Sequence, residues 1–152
     1  MRRFLKLFYC ALLAWTSSAL YAETMLYPLQ GDSIPFSSLN GKWVMLNYWA
    51  SWCGPCLEEI PELNRFYAQN REKNLAMFGV NYDELPSEEQ KQLVKQLHIQ
   101  YPTLRQDPGS ALALGSIDIV PVTFLFNPNG QLVAKLYGAQ TARSLQKALA
   151  KY

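Results

Sequence analysis

From residue 43 onward the chain moves between unbroken apolar runs and stretches where apolar residues recur every three or four positions. Trp43 to Trp49 is apolar except for Asn47, which predicts a buried central strand. Leu57, Ile60, Leu63 and Tyr67 then fall three and four apart. That spacing predicts a helix over 57–70, kinked near Pro61 where one backbone N–H is missing. Leu75 to Tyr82 repeats the strand pattern and stops at Asp83, Glu84 and Pro86. Ser87, with Glu89 and Gln90 behind it, reads as a helix start whose inner face is Leu93, Val94 and Leu97. Tyr101 to Leu104 is short and extended, and Asp107-Pro108-Gly109 turns the chain into a small helical segment over 111–115. Val120 to Phe126 is a strand with a proline at its entrance. Asn127 to Gly130 is a turn and Gln131 to Tyr137 the returning strand, which makes a hairpin. Gly138 breaks the pattern, and Thr141 to Tyr152 closes as a helix on Leu145, Ala148 and Leu149. Ahead of all this, Glu23 to Asn40 is a turn-rich lead-in anchored by Ile34, Phe36 and Leu39. Strand, helix, strand, helix, hairpin and helix together predict an α/β sandwich with a mixed sheet.

The chemistry lies where the central strand hands over to its helix. Cys53-Gly54-Pro55-Cys56 places one thiol at or beside the helix N-cap and the second one turn further in. Unpaired amides and the positive end of the helix dipole favour a thiolate at the first position, by roughly 0.3–1 kcal/mol in an exposed setting. Cys53 is therefore the expected nucleophile, exposed at the helix entrance, and Cys56 the thiol that resolves a mixed disulfide. A structural zinc needs four ligands, and beyond the N-terminal segment only these two cysteines and His98 supply thiolate or imidazole. A purely structural disulfide here would close a very short loop and constrain the unfolded chain little. Glu59 lies three residues after Cys56, so a helix sets both on adjacent turns of one face. It is either a proton acceptor for the thiols or a solvated acid of the first helical turns. Glu58 and Glu62 read as solvated, and His98 as structural.

The stretch LNYWASWCGPCLEEIPEL, with Pro61 five residues after the second cysteine, resembles the thioredoxin superfamily and within it the extracytoplasmic TlpA/DsbE-like branch. The resemblance covers most of the chain after about residue 27. It implies a thioredoxin fold, its central mixed sheet flanked by helices on both faces, and thiol–disulfide exchange; the residues themselves show no spacing for a haem or nucleotide, so no cofactor and no metal are expected. It further implies that Val120-Pro121 is the superfamily's cis-proline bond, facing the dithiol, with the Val120 backbone available to an extended substrate. Gly138 matches the superfamily's close-approach glycine on the site's rim; read from the residues alone, Pro55 keeps the turn tight on the substrate side, and Trp52 is an exposed aromatic shoulder for the partner or else ordinary core packing. Cytoplasmic-type thioredoxins carry a buried aspartate where this chain has Asn47, and an amide cannot take a proton from Cys56. The TlpA-like branch places an acid where Glu59 stands.

Composition changes the picture mainly at the start. Arg2, Arg3 and Lys6, the apolar run from Leu7 to Trp15 and the small residues to Ala22 predict a signal peptide over 1–22, or an uncleaved anchor, ahead of one domain over 23–152. Cys10 is an apolar filler of that segment. Without it the formal charge of +2 falls to −1, so nothing electrostatic points to nucleic acid. The expected protein is a periplasmic or otherwise extracytoplasmic reductase of disulfides in exported proteins, in the setting of cytochrome c maturation, recharged by a membrane-bound redox partner. An oxidant of folding proteins' thiols and a thiol-independent assembly module are the alternatives.

Overall fold

A computed structural model describes residues 23–152; the expected leader, with Cys10, lies outside the described residues. Within these residues seven strands and three helices follow in chain order. β1 (Met25–Leu26) and β2 (Ile34–Pro35) pair as a small antiparallel ribbon, and a 3₁₀ turn over Phe36–Leu39 follows. Then come β3 (Trp43–Trp49), α1 (Gly54–Asn70), β4 (Leu75–Asn81), α2 (Ser87–Gln96), β5 (Thr103–Leu104), β6 (Val122–Phe126), β7 (Leu132–Tyr137) and α3 (Ala142–Lys151). The main sheet runs β5-β4-β3-β6-β7, with β3 central. β3 is parallel to β4 and antiparallel to β6, so the sheet is mixed, as the order of elements predicts.

Side chains alternate across the central strand and divide the core in two. Met45 and Trp49 join Cys53, Cys56, Ile60, Leu63, Phe66 and Leu145 beneath α1 and α3. Val44, Leu46 and Tyr48 join Phe78, Val80, Leu104 and Phe124 on the opposite face, which the lead-in covers through Leu26 and Leu39. The register sets Thr103, Gly79, Asn47 and Thr123 side by side in one row across the sheet, on the α1 face.

One local expectation is corrected and one is refined. Residues 111–115 form a tight turn rather than a helix, with Leu112 N–H donating to Pro108 O and Leu114 N–H to Gly109 O. Ala113 enters the left-handed region at φ 52°, which ends any helical run. The α2 helix begins at Ser87, but its N-cap is Pro86 and no side chain caps it.

Gly79 sits where three side chains close in. A Cβ there would stand 3.1 Å from Tyr101 Cε2, 3.2 Å from Thr103 Oγ1 and 3.2 Å from Trp49 Nε1. All three neighbours are in the packed interior, so Gly79→Ala is expected to lower stability by about 1–3 kcal/mol. Urea unfolding of the two proteins measures it, and an unchanged midpoint would show that the contacts give way freely.

Candidate active site

Cys53 is the N-cap of α1, extended at φ −94° and ψ 101°, and its Sγ accepts the Cys56 N–H at 3.2 Å. Pro55 falls in the first turn, where its missing N–H would have had no helical partner anyway. The two cysteines are joined as a disulfide. Cys53 is only 6 % exposed and Cys56 not at all. The entrance thiol is therefore more covered than its N-cap position suggests, although it remains the more accessible of the two. In front of it, Cys53 Sγ approaches Val120 O at 3.6 Å, across a Val120–Pro121 bond that is cis. Pro121 itself is buried, so Val120 supplies the accessible backbone on that side.

Trp52 is 69 % exposed beside the dithiol, and Pro55 is exposed too. Ile119, next to Val120, is 62 % exposed; Tyr137 is similarly open. Sequence reasoning missed both. Ile119 reads as a loop residue ahead of a proline, and Tyr137 as the last position of a strand. Ile119 and Tyr137 line one surface pocket together, and contiguous exposed apolar surface marks a binding site.

The residue behind the dithiol is Glu59. It is 2 % exposed, not solvated. Asn47 Nδ2 donates to its Oε1 at 2.8 Å, and the Gln140 N–H donates to its Oε2 at 2.7 Å. Burial raises its pKa from the ordinary 4.5 to about 7, because a charged carboxylate loses its hydration there. The two hydrogen bonds pull in the other direction and lose to desolvation. Cys56 and Glu59 are one turn apart on α1, which sets their Cβ atoms roughly 5–6 Å apart. Asn47 Nδ2 also donates to Thr123 Oγ1 at 3.1 Å, which fixes the amide.

Three further readings change. Glu62 is half-buried: its Oε2 accepts the Ala142 N–H at 3.0 Å while its Oε1 pairs with Arg65 at 2.7 Å. With Glu59 on Gln140, two successive turns of α1 thus catch the backbone leading into α3. Gly138 is required by its φ of 78°, not by close approach, since an added Cβ would meet nothing within 4 Å. Its N–H donates to Pro121 O at 2.9 Å and so braces the Val120–Pro121 segment. Asp83, expected only to end a strand, holds the loop before Cys53: it accepts from Ser51 N–H at 2.9 Å, Ser51 Oγ at 3.2 Å and Asn81 Nδ2 at 2.7 Å. The nearest signal for it was an acid one residue past a strand that faces the active-site loop. His98 sits at the end of α2 with φ 54° and gives its carbonyl to Asn64 Nδ2 at 2.8 Å, well outside this cluster.

Comparison with known proteins agrees with this geometry. A model of the AhpC/TSA family matches residues 21–135. Thiol-disulfide oxidoreductase ResA of Bacillus cereus is 32% identical over 123 residues, covering 81% of this chain and 70% of that protein. Among solved structures, StoA from Bacillus subtilis superposes with a TM-score of 0.68 at 24% identity, over 81% of this chain and 92% of that one. A DsbF homologue from Corynebacterium diphtheriae gives 0.72 at 25% identity, over 86% and 84%. The chain belongs to the AhpC/TSA family, within the thioredoxin superfamily, and is an enzyme of the thiol–disulfide oxidoreductase class.

Proposed function

We propose that this enzyme works outside the cytoplasm as a reductase of disulfides in exported proteins, cytochrome c precursors among them. Among the described residues no helix is long and apolar enough to cross a membrane. The basic and apolar run over 1–22 supports export of the domain. The observation that carries the mechanism is the buried Glu59, held by Asn47 and Gln140 one helical turn from Cys56. A carboxyl group poised near neutral pH suits proton transfer to and from a thiol.

In the reduced enzyme, Cys53 thiolate attacks one sulfur of the substrate disulfide and expels the other as a thiolate. Cys56 loses its proton to Glu59 and attacks Cys53 Sγ, which frees the second substrate thiol. The enzyme ends as the Cys53–Cys56 disulfide, two electrons having passed to the substrate. A membrane-bound donor of two electrons then reduces it again. Trapping the cellular redox state tests the direction: a mostly reduced pool supports a reductase, and a mostly oxidised pool would make it an oxidant.

Trp52 precedes Cys53 and Ile119 precedes Val120, whose carbonyl approaches the covered sulfur, so an extended substrate lying along Val120 would meet both. Trp52→Ala is expected to raise KM about tenfold for a protein disulfide, the scale of losing one buried aromatic anchor. A small aromatic disulfide should be reduced at an unchanged rate. Equal effects on both substrates would assign Trp52 to holding the loop instead.

A further inference from the structure

Four buried side-chain polar atoms without a protein hydrogen-bonding partner gather on the α1 face of the sheet: Asn47 Oδ1, Trp49 Nε1, Tyr101 OH and Thr103 Oγ1. The one other such atom among the described residues, Gln90 Oε1, is on α2. A buried donor or acceptor left unpaired is costly, because it has given up its bonds to water. Four in one place call for a partner, and buried polar groups without a protein partner are commonly bonded to internal water. Trp49, Tyr101 and Thr103 converge over Gly79: Trp49 Nε1 and Thr103 Oγ1 each lie 3.2 Å from where its Cβ would stand, so the two polar atoms are neighbours.

The cluster lies between two places that matter. On one side is Glu59, bonded to Asn47; burial first, and the charge of Glu59 after it, push the Tyr101 phenol pKa up. On the other side Tyr101 and Thr103 line a surface cleft of about 280 Å³, with Gln30 and Gln100 at its exposed rim.

We propose that Trp49, Tyr101 and Thr103 hold internal water linking Glu59 to this cleft, and that Glu59 exchanges its proton with solvent by this route while a protein substrate covers the dithiol. The proposal rests on the reading of Glu59 as the proton acceptor of Cys56. Trp49 Nε1 only donates, so it fixes a water by its oxygen. The hydroxyls of Tyr101 and Thr103 both donate and accept, so each can pass a proton on. When Glu59 has taken the Cys56 proton, its O–H bond breaks toward the neighbouring water, which releases one of its own protons to the next acceptor. One proton leaves at the cleft, Glu59 is again a carboxylate, and no electrons move. The groups that face Glu59 are Cys56 on its own helix, Asn47 from β3, Tyr101 before β5 and the Gln140 amide before α3. Of the others, Asn47 is fully buried, and the Gln140 backbone N–H only donates, so neither carries a proton away from Glu59.

The test uses the Cys56→Ser protein joined through Cys53 to a bulky peptide, which keeps the dithiol face covered. The carbonyl stretch of protonated Glu59, identified by its loss in Glu59→Gln, reports proton exchange on transfer to heavy water. Exchange is expected to continue in the capped protein. It should slow roughly tenfold in Thr103→Val, which keeps the shape and removes the hydroxyl, the scale of losing one hydrogen-bonded link. Thr103→Ser should restore it, and Tyr101→Phe should slow it in the same way, so the result does not depend on one variant folding. Exchange that stops on capping, or that is equal in Thr103→Val, Tyr101→Phe and the parent, overturns the proposal and leaves the role of Glu59 at the thiols intact. Resolution unaffected by Glu59→Gln would instead remove the reading beneath it.

Discussion

Replacing Cys56 with serine abolishes multiple turnover and leaves the enzyme joined to its substrates through Cys53. The attacking thiol of such a variant can complete only the first exchange. With no second sulfur one turn away, the mixed disulfide persists until an outside thiol cleaves it. The opposite variant, Cys53→Ser, should capture almost nothing, because Cys56 has no exposed surface from which to reach a protein disulfide. Non-reducing electrophoresis of exported proteins, followed by mass spectrometry of the adducts, reads both results at once. The identity of the adducts also names the substrates, and cytochrome c precursors are expected among them. Adducts formed by Cys53→Ser but not by Cys56→Ser would exchange the assigned roles.

Glu59→Gln is expected to slow resolution of a preformed mixed disulfide by about 10²-fold, the lower end of what a positioned acid or base contributes. The substitution keeps the shape of the side chain and removes its charge and its proton. It should also bring the thiolate absorbance of the reduced enzyme to lower pH, since a carboxylate beside the dithiol opposes a second negative charge. The three groups titrate as a coupled set, so the two effects need not be equal in size. Stability gives an independent reading. Between pH 4.5 and about 7 the folded chain keeps a proton on Glu59 that the unfolded chain has already released. Its contribution is therefore complete below the unfolded value and lost as pH rises through about 7, on the order of 3 kcal/mol in all. Urea midpoints of the wild type should fall across that window, and those of Glu59→Gln should stay flatter. Parallel pH profiles together with an unchanged resolution rate would reduce Glu59 to a structural acid.

The central strand and the dithiol helix were legible because their signals are local. A seven-residue run, apolar except for Asn47 and leading straight into ASWCGPC, fixes a strand end, an N-cap and a reactive sulfur within one stretch. The hairpin and the last helix were legible for similar reasons: a turn of Asn, Pro and Gly, and Thr141 capping α3 through Ser144 N–H at 3.0 Å. What could not be read were relations between distant segments. Glu59, Glu58 and Glu62 look alike in sequence, and only the docking of residues 140–142 against α1 buries the first, half-buries the third and leaves the second in water. Asp83 and Ser51 are separated by a whole helix and strand and meet only because β3 and β4 run parallel. The expected turn of helix at 111–115 failed for the opposite reason. Ala and Leu favour helix there, but Gly115, at φ 79°, and Ala113 are bent by the need to return the chain to β6.

Asn47 gives its NH₂ to both Glu59 and Thr123 and keeps its own oxygen idle. That arrangement suits a charged Glu59, which can only accept. A protonated Glu59 has a hydrogen to give away, and a half-turn of the Asn47 amide would bring the idle oxygen round to receive it. Thr123 can follow by reversing its hydroxyl from acceptor to donor, since it carries both capacities. Two wiring diagrams thus fit the same backbone, one for each charge of the acid. An ionised aspartate in place of Asn47 would have no donor to offer, and would set a second negative charge against the first. Within this site the amide acts as a reversible coupling that lets a buried acid change charge without the fold having to move.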